Sequence, residues 1–272
     1  MRSYATVQEF LDYPTGLDVD NLVADGSEAQ QTAELAMILQ MASSVIDAWC
    51  YQSLYAHQRT ETKHVRPRQY GSLEVRVLDF PLKQVLSAQW RQTARDAWHT
   101  IDTNLIEIFG DIGEGHKYSA ADAYYGGTYG WGQPPLTVQT TYVAGYPNMA
   151  LAANVVAGNT SIIIDSYLGL SQGDVLKIYD GQSYEEVTVE ATPVSNNISV
   201  SALQFAHNAG VRVSELPDAV SASCIFIAAY LIKERRAGAS VTMSGTVQKM
   251  NVIDSEDMQL ARQFLLPFRR VI

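Results

Sequence analysis

The segment that most constrains the fold covers residues 27–56, the longest stretch of the chain with an unbroken helical period. Its apolar residues recur at three- and four-residue steps, so they would form one stripe along a helix. They are Leu35, Ile38, Leu39, Ala42, Val45, Ile46 and Trp49. Ser27 and Gln30 form a capping-box pattern at the start of this helix. Because a helix with one wide apolar face must pack against another element, we expect residues 216–237, the other strongly helical stretch, to be its partner.

Two shorter helices are predicted near the ends of the sequence. Thr6 and Glu9 form a second capping-box pattern, which predicts a short helix that ends before Pro14. Residues 255–266 predict a last helix, and Pro267 ends it. We expect Phe268 to be left exposed beside two arginines.

Signals at both ends delimit the second long helix. Pro217 and Asp218 suit its first turn, and Gly238 is expected to end it. The small, polar residues 239–248 then predict a flexible link. The acidic residues 17–26 lack the ligand spacing of a calcium loop, so we interpret their carboxylates as solvated loop charges.

Between the two long helices the pattern changes to the period of two that is typical of strands. Strands are predicted at residues 60–66, 73–80, 85–90, 98–101, 105–109 and 136–143. Five more follow at residues 161–164, 175–179, 186–189, 198–200 and 211–213, separated by Gly and Asn turns. These five strands predict a small β-barrel or sandwich inserted into a parent fold.

We therefore predict an α+β fold, with a helical core of two long helices, additional short helices and a small antiparallel sheet. The predicted domains are a helical core with strands at residues 1–153 and 215–253, and an inserted β domain at residues 154–214. Residues 254–272 are predicted to be a docking helix and tail.

Composition limits the classes of function. The net charge of −10 and the sequence pI of 4.9 argue against a surface that grips nucleic-acid phosphates, although DNA could still pass along such a protein. Cys50 and Cys224 lie one on each long helix. They either form a disulfide bond or pack as small apolar side chains. No signal peptide and no membrane span are expected.

No catalytic or metal-binding motif is present in the sequence. The five histidines lack metal-ligand spacing, and the glycines of residues 110–115 lack the lysine of a phosphate-binding loop. We therefore expect a protein that is not an enzyme and that has no cofactor and no metal ion.

Two stretches suggest interaction surfaces. Residues 124–135 combine four glycines with aromatic side chains, and form either an interaction loop or a loop that covers its own domain. The predicted interface residues are Tyr124, Tyr125, Tyr129 and Trp131. The basic, apolar end of the chain either docks on an acidic partner or packs on its own domain.

Several motifs in order resemble the head–tail connector (adaptor) proteins of tailed bacteriophages. They are YATVQEFLDY, AELAMILQMASSVIDAWCY, TETKHVRPR, YVAGYP, a helix that begins with Pro and ends in KERRAG, and ARQFLLPFRRVI. Residues 154–214 are interposed in this pattern, and GNTSIIID, GLSQGD and FAHNAGVRV within them resemble a β-module of other phage structural proteins.

This resemblance implies a virion protein of the neck, assembled in the host cytoplasm as a homo-oligomeric ring, usually a dodecamer. The ring would lie under the portal protein and carry the next neck component, a stopper or tail terminator. Double-stranded DNA would pass through it without sequence-specific binding, and no membrane would be involved. The implied portal-docking residues are Arg262, Phe264, Leu265, Leu266, Pro267, Phe268, Arg269 and Arg270. The alternative is a host- or carbohydrate-binding accessory virion protein, supported by the aromatic loop and by the β-module of residues 154–214.

Overall fold

The computed structural model describes residues 3–67, 72–113, 116–124, 135–181, 183–240 and 256–270. The chain forms two compact units. The first, called here the helical unit, contains Met1–Tyr51, Tyr179–Tyr184 and Leu216–Arg269. The second, called the sheet unit, contains Gln52–Ile178, Glu185–Glu215 and Arg270–Ile272.

The helical unit is built from two long helices and two short ones. In chain order they are α1 (Val7–Asp12), α2 (Glu28–Cys50), α3 (Asp218–Ser240) and α4 (Glu256–Leu265), the last followed by a 3-10 turn, Leu266–Phe268. Both predicted capping boxes are confirmed. The backbone N–H of Thr6 donates to the Glu9 carboxylate over 2.7 Å, and that of Ser27 donates to Gln30 Oε1 over 2.8 Å.

The predicted stripe of α2 is largely confirmed as the core of the helical unit. Five of its residues are buried, and Val45 and Trp49 are half-buried. The backbone N–H of Tyr4 donates to Ser43 Oγ over 2.8 Å, which ties the start of the chain to α2. Cys224 on α3 lies 3.6 Å from the Leu39 carbonyl oxygen, and α2 and α3 pack together as predicted. Both cysteines are buried and free, so they contribute packing and not a disulfide.

One predicted helix boundary is wrong. The helix α3 passes through Gly238 and continues to Ser240. A glycine permits a helix end but does not impose one. Of the link predicted at residues 239–248, the first two residues are still helical and residues 241–248 lie outside the described residues.

Thirteen strands are described. They are β1 (His57–Val65), β2 (Ser72–Arg76), β3 (Leu82–Arg91), β4 (His99–Ile101), β5 (Ile106–Gly113), β6 (His116–Tyr124), β7 (Leu136–Ala144), β8 (Asn148–Ala150), β9 (Ser161–Ile163), β10 (Val175–Tyr179), β11 (Tyr184–Thr188), β12 (Asn197–Ser199) and β13 (Arg212–Ser214). A 3-10 turn at Thr103–Leu105 precedes β5.

The strands form four sheets, with the orders β1-β7-β3-β4, β2-β6-β5, β11-β10-β13-β8 and β12-β9. Strand β7 is central in the first sheet, since it pairs antiparallel with β1 on one side and with β3 on the other. Every second residue of β7 from Leu136 to Tyr142 is buried, which is the alternation of a sheet with one face on a core.

The sheet unit has two hydrophobic cores. One joins residues of β2, β3, β4 and β7, among them Leu73, Val85 and Tyr142. The other runs from Met149 to Val213 and contains the five strands predicted for the inserted module, each within two residues of its predicted place. The domain boundaries themselves remain a prediction.

The turn after β7 depends on one glycine. Gly145 has φ +99°, and a Cβ atom placed there would lie 2.2 Å from the Tyr55 carbonyl oxygen. Its own N–H donates to the Pro81 carbonyl oxygen over 2.9 Å. The chain segments before β1, before β3 and after β7 therefore meet at a point that has no room for a side chain.

The predicted fold class is wrong. In the described structure strands make up 31% of the chain, and there are four α-helices. The fold is therefore rich in strands and is not a helical core with a small sheet. The two long helices exist, but they organise one unit only. Hydrophobic periodicity identifies elements locally, whereas the number of strands that join each sheet depends on contacts distant in sequence.

Candidate interaction surface

The last described segment of the helical unit, Glu256–Arg269, is called here the C-terminal segment. Its helix α4 is favoured by acidic residues in the first turn and by Arg262 in the last, which complement the helix dipole. Met258, Ala261 and Leu265 follow one another at steps of three and four residues and are buried. The segment therefore packs on its own unit through one face.

Polar contacts fasten the segment at both ends. Lys233 Nζ donates to Asp257 Oδ2 over 2.6 Å near its start, and Ser223 Oγ donates to the Ala261 carbonyl oxygen over 3.3 Å. The Arg262 guanidinium lies 4.6 Å from the centre of the Trp49 ring. Near the end, Arg269 lies 5.1 Å from the centre of the Tyr51 ring and donates to its hydroxyl over 3.3 Å. These contacts attach the segment to the rest of the unit along its length.

Three other apolar side chains of the segment are partly exposed to solvent. Phe264 is 37% exposed and Leu266 is 58% exposed. Leu260 is 37% exposed, and Arg262 and Arg269 flank the set. Large apolar side chains between arginines are typical of the centres of protein interfaces.

The structure corrects one expectation for these residues. Phe268, which was predicted to be exposed, is buried, because the 3-10 turn that includes Pro267 carries it back onto the unit. Leu265 is buried as well. Of the predicted docking residues, these two act as anchors, and Phe264, Leu266, Pro267, Arg262 and Arg269 remain accessible to a partner. Arg270 belongs to the sheet unit, and its half-buried side chain binds Asp79 there.

The second predicted interface cannot be placed. Tyr125, Tyr129 and Trp131 lie outside the described residues, and of Tyr124 only the backbone, at the end of β6, is described.

A buried carboxylate in the sheet unit collects three cationic side chains. Asp79 is 1% exposed and accepts hydrogen bonds from His57 Nε2 at 3.0 Å, from Arg59 at 2.7 Å and from Arg270 at 3.4 Å. Neighbouring Glu61 accepts from the Tyr142 hydroxyl and from the Leu78 N–H. We call these residues the Asp79 cluster.

In the Asp79 cluster, Asp79 and its cationic neighbours stabilise each other's charged forms. Burial opposes ionisation of Asp79, but the hydrogen bonds from His57 and Arg59 outweigh it and lower the pKa of Asp79. The same hydrogen bond raises the pKa of His57, with burial acting against it. Burial, followed by the hydrogen bond to Glu61, raises the pKa of Tyr142. Asp79 is held ionised by its cationic neighbours, and Tyr142 is held neutral. Both are therefore suited to stabilise the fold and not to transfer protons.

The stability of the sheet unit should therefore depend on pH with a maximum at mildly acidic values. The contribution of Asp79 is present above its ordinary pKa of 3.8 and is lost as the pH falls through the lowered value. The contribution of His57 is complete below 6.5 and is lost as the pH rises through the raised value. Urea unfolding between pH 3 and pH 9 measures this, and His57→Gln should remove the loss on the alkaline side. An unchanged alkaline limb in that variant would contradict the assignment.

Other reactive groups within the described ranges are inert or paired. Burial, and secondarily the charge of Asp47, raises the pKa of Cys50 to about 12, so its thiol is not a nucleophile at neutral pH. His207 and Glu185 form a buried pair at 2.7 Å. Among the described residues no group of three or more His, Cys, Asp or Glu is placed to hold a metal ion. None of the described helices is both long and apolar enough to cross a bilayer.

Comparison with known proteins adds no family. No protein-family model matches the chain, and no curated protein matches it. The resemblance to phage connectors thus remains a prediction from the motifs in the sequence.

Sequence reasoning missed the Asp79 cluster, because its members are far apart in the chain. His57 and Arg59 precede Asp79 by 22 and 20 residues, and Arg270 follows it by 191. The sequence carries one signal for it, the alternation of charged residues along β1.

Proposed function

We propose that this chain is a structural protein of the neck of a tailed bacteriophage, a head–tail connector without enzymatic activity. Copies of it would form a ring of twelve beneath the portal protein. The ring would extend the DNA channel and join the capsid to a stopper or tail terminator. The order of motifs along the sequence supports this proposal.

The observation that carries the proposal is the C-terminal segment. A protein whose role is to join others needs a preformed contact surface, since ordering a loose tail on binding costs free energy. Here the buried side chains of Leu265 and Phe268 anchor the segment to the helical unit, while Phe264 and Leu266 are partly exposed to solvent. We assign this surface to the portal protein, as the resemblance implies.

The charge of the chain supports the role as a conduit. With a net charge of −10, the ring would repel DNA phosphates and not release counterions by gripping them. DNA could then slide through without adhesion or sequence preference.

A sedimentation assay with DNA-filled, tailless capsids of the same virus tests the proposal. The double variant Phe264→Ser/Leu266→Ser should lower the fraction of chain that sediments with capsids by about tenfold or more, since loss of a central apolar anchor costs about 2 kcal/mol or more. Substitutions are preferable to truncation, because removing the segment also removes Met258, Ala261, Leu265 and Phe268 from the core.

The matched control changes two exposed apolar residues of the sheet unit, Leu105→Ser/Val194→Ser, at 55% and 86% exposure. It should sediment like the unaltered chain. Equal sedimentation of both variants would refute the docking surface, and failure of the unaltered chain to sediment would refute the connector itself.

The alternative, a host- or carbohydrate-binding accessory virion protein, depends on the aromatic loop and on the β-module of residues 154–214. The loop lies largely outside the described residues, and it therefore adds no support to this alternative.

A further inference from the structure

The helical unit contains a groove whose lining includes no residue of the C-terminal segment. It has a volume of about 290 Å³ and lies between α1, the connecting residues 17–26 and the first turns of α2. Val7, Leu11, Val19 and Leu35 supply its apolar surface, and Asp20 and Glu28 its charged surface. We call it the acidic groove. Its volume is at the lower limit of the roughly 300–1,000 Å³ that is usual for small-molecule sites, which suits one or two protein side chains.

The walls of the groove are preformed. Gln31 on α2 holds the connecting residues through two hydrogen bonds, accepting from the Val23 N–H and donating to the Val23 carbonyl oxygen, both over 2.8 Å. On the other side, the capping box at Thr6 fixes the start of α1, and Phe10 is buried beneath it. A partner would therefore meet a groove that needs little ordering before it binds.

The charge around the groove is of one sign. Residues 7–34 contain seven carboxylates and neither lysine nor arginine. Four of the seven have a described partner: Glu9 caps α1, Asp12 accepts from Gln8, Asp18 accepts from Asn21, and Glu34 pairs with Arg235. The side chains of Asp20 and Glu28 are exposed and have no ion-pair partner in the described part of the chain. The groove thus offers two open carboxylates beside an apolar floor.

We propose that the acidic groove is a docking site for a segment of a partner protein that carries an apolar side chain flanked by arginine or lysine. Charge complementarity selects this chemistry, since an acidic or uncharged segment would leave both carboxylates unpaired. The inference extends the proposed function, because a connector needs a second contact besides the C-terminal segment. A second copy of this chain is a competing occupant, and the experiment below distinguishes it.

The probe is a blocked peptide, Arg-Leu-Leu-Arg-Phe-Arg, and its counterpart has Glu in place of each Arg. Nuclear magnetic resonance of the full chain with labelled Leu and Val methyl groups follows Leu11, Val19 and Leu35 in the groove. These methyl signals should shift with the Arg peptide and stay unchanged with the Glu peptide. Asp20→Asn/Glu28→Gln should weaken binding of the Arg peptide about fivefold at low salt, because two exposed ion pairs are lost.

The control variant Glu107→Gln/Glu190→Gln removes the same charge from exposed positions in the sheet unit, and should bind like the unaltered chain. Equal shifts with both peptides, or equal weakening by both double variants, would overturn the proposal. Groove signals that move with protein concentration alone, together with association in sedimentation, would assign the groove to a second copy and also overturn it. Because no capsid is used, a failure here is distinct from a failure of the connector proposal.

Discussion

Replacing Gly145 by alanine should destabilise the sheet unit by about 4 kcal/mol, from backbone strain and overpacking together. The residue has φ +99°, and the added methyl carbon would lie 2.2 Å from the Tyr55 oxygen and 2.4 Å from the Tyr55 carbonyl carbon. Both are backbone atoms, so no side chain can rotate away, and the segments that meet at Gly145 must separate. Thermal unfolding should show a midpoint lower by about 10 °C, on the scale of a few degrees per kcal/mol for a unit of this size.

Gly158→Ala is the matched control, because Gly158 has φ +87° and no atom within 4 Å of the added carbon. It carries the left-handed strain without the clash, and should cost about 1 kcal/mol. If both variants lose the same free energy of unfolding, then the chain segments around Gly145 have room for a methyl group, and the prediction is wrong.

Replacing Asp79 by alanine should lower the free energy of unfolding of the sheet unit by about 3 kcal/mol, which is typical when one partner of a buried ionic network is removed. The change removes the carboxylate that His57, Arg59 and Arg270 share, and of the three only Arg59 keeps another described carboxylate, Glu61 at 3.3 Å. Urea unfolding at pH 6 measures the loss, and the alkaline limb that depends on His57 should disappear in the same variant.

Glu107→Ala, at an exposed position of the same unit, serves as the control and should change the free energy of unfolding by less than about 0.5 kcal/mol. If Asp79→Ala changes the free energy of unfolding no more than the control does, then the three contacts to Asp79 contribute as little to stability as exposed ion pairs do.

Local signals predicted local structure well in this chain. The capping boxes at Thr6 and Ser27 depend on side chains three residues apart, and both form. The strands of residues 161–213 are bounded by Gly and Asn turns that act within a few residues, and all five are present. Such features need no knowledge of distant parts of the chain.

Features that depend on distant contacts were not predictable. Phe268 was expected in solvent because Pro267 ends a helix, yet whether the chain then turns back depends on a surface supplied by other helices. The acidic groove was missed for a similar reason. The carboxylates of residues 17–26 are solvated as expected, but Gln31 holds this stretch against α2 and so creates a concave surface.

The order in which the chain is synthesised has a consequence for the pairing of α2 with α3. The helix α2 ends at Cys50 and α3 begins at Asp218. A ribosome that adds roughly 5–20 residues per second needs about 10–30 s to make the intervening chain. During that time the buried stripe of α2 has no α3 to cover it, whereas the strands from β1 to β13 are all available before α3 appears. The nascent chain should therefore hold a sheet unit that has all of its strands and lacks only its C-terminal residues, while the apolar stripe of α2 is still uncovered. That helix is where a chaperone would bind during synthesis.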